Sequence, residues 1–419
     1  MKLRFLGGVR EVGRSALALT SGDSTLLLDY GVQINREPGF PLHVPPKNLK
    51  GILLTHAHLD HSGGIPIYYV GHRIPVYASK LTFDLSRILL KDFLKLSGYY
   101  LPYEYADVEA MLSNAQTVNV GETLELEGFT IRFLEAGHIP GSLQFIVEAE
   151  GERILYTGDV NTRETKLLNP ADLNYGELSA VVVESTYAGE KHPERSELEK
   201  LFVERVREVV GRGGTALIPA FSVGRSQEVL CILEAHGFEY PVYMDGLALE
   251  ANEAMLRYPE HFRDHELLRR ALERARWIRG WGERRQAVKR PCAIISPAGM
   301  LKGGAAAYYV EKVAKYSQNA IFLVSFQIPG TPGRMLLEER KVLVNGKPKP
   351  VKAEVESFHF SSHTDGEGLK SLLKSVKGNP KVFVVHGNPE NSEKLASWVS
   401  GELGLEAIVP RVGETYPIG

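Results

Sequence analysis

Thr55-His56-Ala57-His58-Leu59-Asp60-His61, set directly after the apolar run Ile52-Leu53-Leu54, decides the reading of this chain. Three imidazoles and one carboxylate fall between positions 56 and 61. Imidazole and carboxylate are the ligands that borderline divalent metals take from a protein. A strand ending in a tight turn presents alternate side chains to one side. His56 and His58 would then face one metal, while Asp60 and His61 swing round to a second. A pair of cations held in this way makes water nucleophilic at neutral pH. The plain alternative is a His-rich surface turn without metal. Four ligand-type residues at this spacing, behind a buried-strand pattern, argue against it.

Remote partners occur in matching settings. His138 follows the apolar run ending at Leu134, Asp159 stands in Thr157-Gly158-Asp159 after another such run, and His386 stands in Val384-Val385-His386-Gly387. Each is a ligand-type side chain at a strand end among glycines, which let backbone approach a crowded centre. Asp29, also at a strand end, can hold a ligand histidine by a hydrogen bond.

The chain has 419 residues, too many for one ordinary core, so two or three domains are expected. Its composition, 43% hydrophobic and 24% charged, is that of a soluble globular protein. The opening Met1-Lys2-Leu3-Arg4-Phe5-Leu6 reads as a strand and not as a secretory leader. No apolar run is long enough to cross a bilayer. Two cysteines, Cys231 and Cys292, allow no disulfide framework and no cysteine zinc site, and point to a reducing cytoplasm. The net charge of −2 is unevenly spread: residues 188–352 hold 27 lysines and arginines against 20 acids, and the rest of the chain is acidic. Within that basic part Arg269, Arg270, Arg274, Arg276, Arg279, Arg284, Arg285, Lys289 and Arg290 crowd together. Such a run either attracts a polyanion or is a solvated helix face paired with nearby acids.

Short strands are expected at 3–6, 16–19, 25–29, 51–55, 130–134, 144–147, 154–156 and 181–183, with a helix over 80–96. Two strand groups with interspersed helices suggest packed sheets covered by helices. From about residue 196 helix and strand alternate, starting with a helix over 196–210 capped by Ser196 with Glu199 in the capping-box position. This rhythm predicts a parallel α/β domain. Asn345-Gly346-Lys347-Pro348 is a turn signal. A strand over 355–358, helices over 368–375 and 391–400, and a strand over 382–385 close the chain.

On these residues the chain resembles the metallo-β-lactamase-fold hydrolases, and among them the β-CASP ribonucleases, a group that includes the pre-mRNA 3′-end cleavage endonuclease, its archaeal relatives and ribonuclease J. Asp29, the block from His56 to His61, His138 and Asp159 match the four metallo-β-lactamase motifs in order. Glu184-Ser185-Thr186-Tyr187 is similar to β-CASP motif A, Ser361-Ser362-His363-Thr364-Asp365 to motif B, and His386 to the motif C histidine. Further likeness lies in Pro219-Ala220-Phe221-Ser222-Val223-Gly224-Arg225, in Ser296-Pro297-Ala298-Gly299-Met300 and in the stretch from Gln327 to Arg334.

The resemblance implies an α/β fold: a metallo-β-lactamase αββα sandwich from residues 1–187 and 353–419, with a parallel α/β β-CASP domain inserted at 188–352. It implies two Zn2+ per chain, one on His56, His58 and His138, the other on Asp60, His61 and His386, with Asp159 bridging. His363, Glu184, Asp60 and Asp159 form the implied catalytic set, in which His363 protonates the leaving oxygen and Glu184 orients it. Asp29 stands behind the ligands. Arg225, Thr331 and Arg334, in glycine-rich loops, are implied phosphate contacts. The implied activity is zinc-dependent hydrolysis of single-stranded RNA, by endonuclease or 5′→3′ exonuclease action, in the cytoplasm, away from membranes, as a homodimer or in an RNA-processing complex. A catalytically inactive scaffold subunit and a small-molecule hydrolase of the same fold are the alternatives. The seven intact ligands weigh against the first and the basic surplus against the second.

The sequence departs from the family pattern at Ser362 and Thr364, where alanines are common, at Asn388, where an acid is usual, and at Ala188, where glycine often stands. None of these removes a ligand. An N-terminal KH-like module and a C-terminal dimerisation domain are not expected.

Overall fold

The computed structural model describes residues 1–34, 37–328, 330–344 and 346–419 and divides into two compact units. The first comprises Met1–Glu164, Asn169–Lys191 and Ser362–Gly419, and the second Thr165–Leu168 and His192–Ser361.

The first unit is a four-layer αββα sandwich. One seven-stranded sheet runs in the order Thr415–Pro417, Lys2–Gly7, Ala16–Ser21, Ser24–Tyr30, Leu49–Leu53, Val76–Ala78, Ala115–Thr117. The other runs Ala407–Ile408, Lys381–Val385, Ala180–Glu184, Glu152–Tyr156, Leu143–Ala149, Phe129–Glu135, Thr123–Leu126. Strand side chains alternate between faces. Leu26 and Leu28 therefore join Phe133, Phe145 and Val182 between the sheets, while Leu27 turns outward into a separate cluster with Ile52, Phe83 and Leu90. Helix Lys80–Ser97 supplies Phe83 and Leu90 to that outer layer. Helices Gly366–Ser375 and Pro389–Trp398 cover the opposite face through Leu369, Leu372 and Leu395. Both faces of each sheet are thus buried, which is why the strands read as near-continuous apolar runs.

Register in the parallel part of the sandwich sets the positions of the polar residues. Leu28 pairs with Leu53, so Asp29 and Thr55 emerge side by side. In the second sheet Tyr156 pairs with Val182 and Glu184 with Val385. The segments carrying Asp159, Glu184 and His386 therefore leave the sheet at one end. Phe129–Glu135 and Leu143–Ala149 form a hairpin in which Glu135 faces Leu143, and the loop between them carries His138.

The second unit holds six parallel strands in the order Arg276–Ile278, Val242–Asp245, Cys292–Ser296, Thr215–Pro219, Ala320–Leu323, Glu354–Ser357. Glu354–Ser357, read from sequence at 355–358 with the closing segment, pairs with Ala320–Leu323 and belongs to this sheet. The units part after Lys191 and after Ser361. The first helix here is Arg195–Gly211, and its cap is Glu194 rather than Ser196. Glu199 is buried in an ion pair with Arg195 at 2.9 Å and takes no part in a capping box. Strands Lys341–Val344 and Lys347–Pro350 form a hairpin around the turn signal, in which Gly346 has φ +72° and Asn345 lies outside the described residues.

Candidate metal centre

His56 Nε2 lies 3.2 Å from His58 Nδ1, which lies 3.2 Å from His138 Nε2. Two ligand atoms about 2.0–2.1 Å from a tetrahedral metal are about 3.3 Å apart, so these nitrogens stand at ligand spacing. Burial pushes His58 down to about 4, and burial together with neighbouring imidazoles holds His56 and His138 well below the usual histidine range. Neutral rings crowded at this distance present lone pairs to a shared point. His138 donates from Nδ1 to the Ser362 carbonyl at 2.9 Å, which leaves its Nε2 free to ligate.

Asp60, His61, Asp159 and His386 form the adjoining group, with ligand atoms all within 4.8 Å of one another. Asp60 Oδ2 is 3.4 Å from His386 Nε2, and Asp159 Oδ1 is 3.3 Å from His61 Nε2. Asp159 Oδ2 faces the first group, 3.7 Å from both His56 Nε2 and His138 Nε2. Asp159 Oδ1 is buried without a hydrogen-bond partner. An orphaned carboxylate oxygen inside a ring of imidazole nitrogens is the partner a cation requires. The donor set therefore fits a bound metal.

Asp29, fully buried, holds the second group from behind. It accepts from Thr55 N at 2.7 Å, from the Thr55 hydroxyl at 2.9 Å, from His61 Nδ1 at 2.7 Å and from the Tyr156 hydroxyl at 3.0 Å. Donation from Nδ1 sets the His61 tautomer and turns Nε2 toward Asp159. The Thr186 hydroxyl donates to the His386 carbonyl at 3.0 Å and accepts from His386 Nδ1 at 3.2 Å. Asp29 and His386 both adopt left-handed backbone, φ +54° and +47°. Such conformations cost about 1–3 kcal/mol each in non-glycine residues and gather at functional positions. Gly31 permits the tight turn, because a Cβ there would stand 1.7 Å from the Asp60 carbonyl oxygen. Asp29→Asn is expected to weaken metal affinity about 10–100-fold, as read by competition with a chelator. Unchanged affinity would remove Asp29 from this supporting role.

His363 stands beside the cluster. Its Nδ1 lies 2.9 and 3.0 Å from the two oxygens of Glu184, and its Nε2 lies 3.8 Å from Asp159 Oδ2. Glu184 is itself fixed, accepting Val160 N at 2.9 Å and Thr186 N at 3.3 Å. Burial disfavours the charged ring, but the carboxylates of Glu184 and Asp159 outweigh it and raise His363 to about 9. The His363 side chain is 19% exposed and Asp60 27%, against 0–4% for His56, His61, Asp159 and His386, so the cluster opens to solvent on the His363 and Asp60 side.

All seven sequence-derived ligands, with Asp29, Glu184 and His363, thus converge in the first unit. Arg225, Thr331 and Arg334 belong to the second. Arg225 is buried at the first turn of helix Arg225–Ala235. The Thr331 hydroxyl caps helix Pro332–Glu339 and donates to the Ile328 carbonyl at 2.7 Å, and Arg334 pairs with Glu338 at 2.7 Å. Sequence reasoning missed Thr55, Tyr156, Thr186 and the Ser362 carbonyl as partners of the ligands. Thr55 carried a signal in its place directly before the histidine block, and Thr186 and Ser362 stand within the stretches similar to β-CASP motifs A and B. Of the departures from the family pattern, Thr364 bonds Thr162 at 2.7 Å and Asn388 caps helix Pro389–Trp398.

Family profiles match three stretches: the metallo-beta-lactamase superfamily over residues 9–215, the Beta-Casp domain over 226–336, and the Zn-dependent metallo-hydrolase RNA specificity domain over 348–410. The chain is 44% identical to a protein of Saccharolobus solfataricus named RNase aCSPSF2, over 98% of this chain and 84% of that protein. It is 34% identical to Probable RNase MJ4 of Methanocaldococcus jannaschii, over the full length of both. It is 33% identical to transcription termination factor FttA of the same organism, over 98% of this chain and 70% of that protein. A crystal structure of an Enterococcus faecalis V583 protein of unknown function shares the fold, with a TM-score of 0.61 at 13% identity over 99% of each chain.

Proposed function

The chain belongs to the β-CASP family of metallo-β-lactamase-fold hydrolases, and on that footing we propose that it is a ribonuclease hydrolysing phosphodiester bonds of single-stranded RNA with two zinc ions. His56, His58 and His138 would hold one ion, Asp60, His61 and His386 the other, and Asp159 both. The observation that carries this reading is the His363–Glu184 pair, directed at Asp159 within a cluster of seven metal-type ligands.

When bound, such cations would polarise phosphoryl oxygens and lower the pKa of water enough for attack at neutral pH. The residues of the chain supply the rest. Asp60 and Asp159 would balance the positive charge of such ions and hold the ligand rings in register. Glu184 orients His363 through Nδ1, which leaves the Nε2 proton facing the cluster. His363, protonated near neutrality, gives that proton to the oxygen leaving phosphorus. The buried, free thiols Cys231 and Cys292 agree with a reducing cytoplasm as the working compartment. Among the described residues no helix is long and apolar enough to cross a membrane.

Incubating the zinc-loaded protein with 5′-labelled and 3′-labelled single-stranded RNA is expected to give shortened products that vanish when a chelator strips the metal. Intact RNA under both labels, with zinc fully bound, would refute the assignment.

A further inference from the structure

Residues 274–290 carry seven arginines and lysines against one acid, Glu283, together with Trp277 and Trp281, two of the three tryptophans in the chain. The stretch lies in the second unit, whereas every metal ligand lies in the first. Part of the run is paired as a solvated face would be: Arg274 meets Glu234, and Arg279 meets Glu253. The rest differs. Arg285, Lys289 and Arg290 are exposed and make no ion pair with a described carboxylate. Arg284 is pinned by the fully buried Asp245 through hydrogen bonds of 2.7 and 2.8 Å, and the Tyr309 hydroxyl donates to the same carboxylate at 2.6 Å. Trp281 packs on the pinned guanidinium, 4.8 Å from ring centre to charge, with Tyr308 edge-on at 5.4 Å. It still leaves 57% of its surface in water. Arg279 lies 5.6 Å over Trp277 in the same way. Indole rings held by arginines, with unpaired cations alongside, provide stacking faces and phosphate contacts together, as single-stranded nucleic acid requires. A protein partner recognising so basic a face would have to bring its own acidic surface, whereas an RNA strand carries both the charge and the flat bases.

We propose that Trp277, Trp281, Arg279, Arg284, Arg285 and Lys289 form a second binding surface for single-stranded RNA, outside the metal centre. The proposal rests on the reading of the substrate as RNA. The test is a fluorescence anisotropy titration of a 5′-fluorescein oligouridine, long enough to span several stacked bases, in chelator so that it stays whole. Trp281→Ala is expected to weaken binding about tenfold, the loss of one stacked base, while Trp281→Phe retains most of the affinity. Arg285→Glu combined with Lys289→Glu should flatten the salt dependence of log affinity by about 1.4, equivalent to two phosphate contacts on a single strand. Variants that bind as tightly as wild type, while wild type still cleaves the oligonucleotide when zinc is restored, overturn the surface alone. Variants that change the oligomeric state by light scattering but not RNA affinity make it a contact between copies and overturn it too. A wild type that neither binds nor cleaves RNA brings down the ribonuclease reading and this surface with it.

Discussion

Asp159→Ala is expected to abolish RNA cleavage and to deplete bound metal in the same preparation. Asp159 turns one oxygen toward each group, 3.7 Å from His56 Nε2 and His138 Nε2 on one side and 3.3 Å from His61 Nε2 on the other. Its removal leaves neutral imidazoles on one side and an unbalanced cation site on the other. Loss of several kcal/mol of transition-state stabilisation, at a factor of ten for each 1.36 kcal/mol, puts the rate down by about a thousandfold or more. Elemental analysis and a cleavage assay on one sample provide the check. Full zinc content together with full activity would show that the carboxylate bridges nothing.

His363→Ala separates chemistry from metal binding. His363 lies at the edge of the cluster and is held by Glu184, so its removal should leave zinc content unchanged. The rate of a single turnover should fall about 10²–10⁴-fold, the usual contribution of a general acid. Glu184→Gln keeps a polar partner for Nδ1 but loses the carboxylate charge that, against burial, helps to raise His363 to about 9. It should cost less than His363→Ala and should move the alkaline limb of the rate profile to lower pH, since a ring with a lower pKa loses its proton earlier as pH rises. A His363→Ala protein as fast as wild type would end its assignment as proton donor.

What the sequence made legible was local. The histidine block, and the single ligands behind apolar runs, announce themselves because each follows its own strand. The partners behind them do not. Thr55 and Tyr156 reach Asp29 only through strand register and the stacking of two sheets, and the Ser362 carbonyl meets His138 across 224 positions. Helix His265–Arg274 read only as charge because buried Leu267, Leu268, Ala271 and Leu272 are interleaved with arginines and glutamates. Glu354–Ser357 looked like the start of the closing segment, yet parallel pairing with Ala320–Leu323 draws it into the other sheet. Such pairing is non-local and leaves no mark on the strand's own residues.

His386 and Asp60 approach within 3.4 Å although 326 positions separate them. A chain emerging from the ribosome can gather His56, His58 and His138 long before the strand bearing His386 has been made. Until that strand docks, the Asp60 and His61 half of the candidate centre lacks the His386 imidazole. The candidate centre is therefore complete only once strand Lys381–Val385 has taken its place in the second sheet.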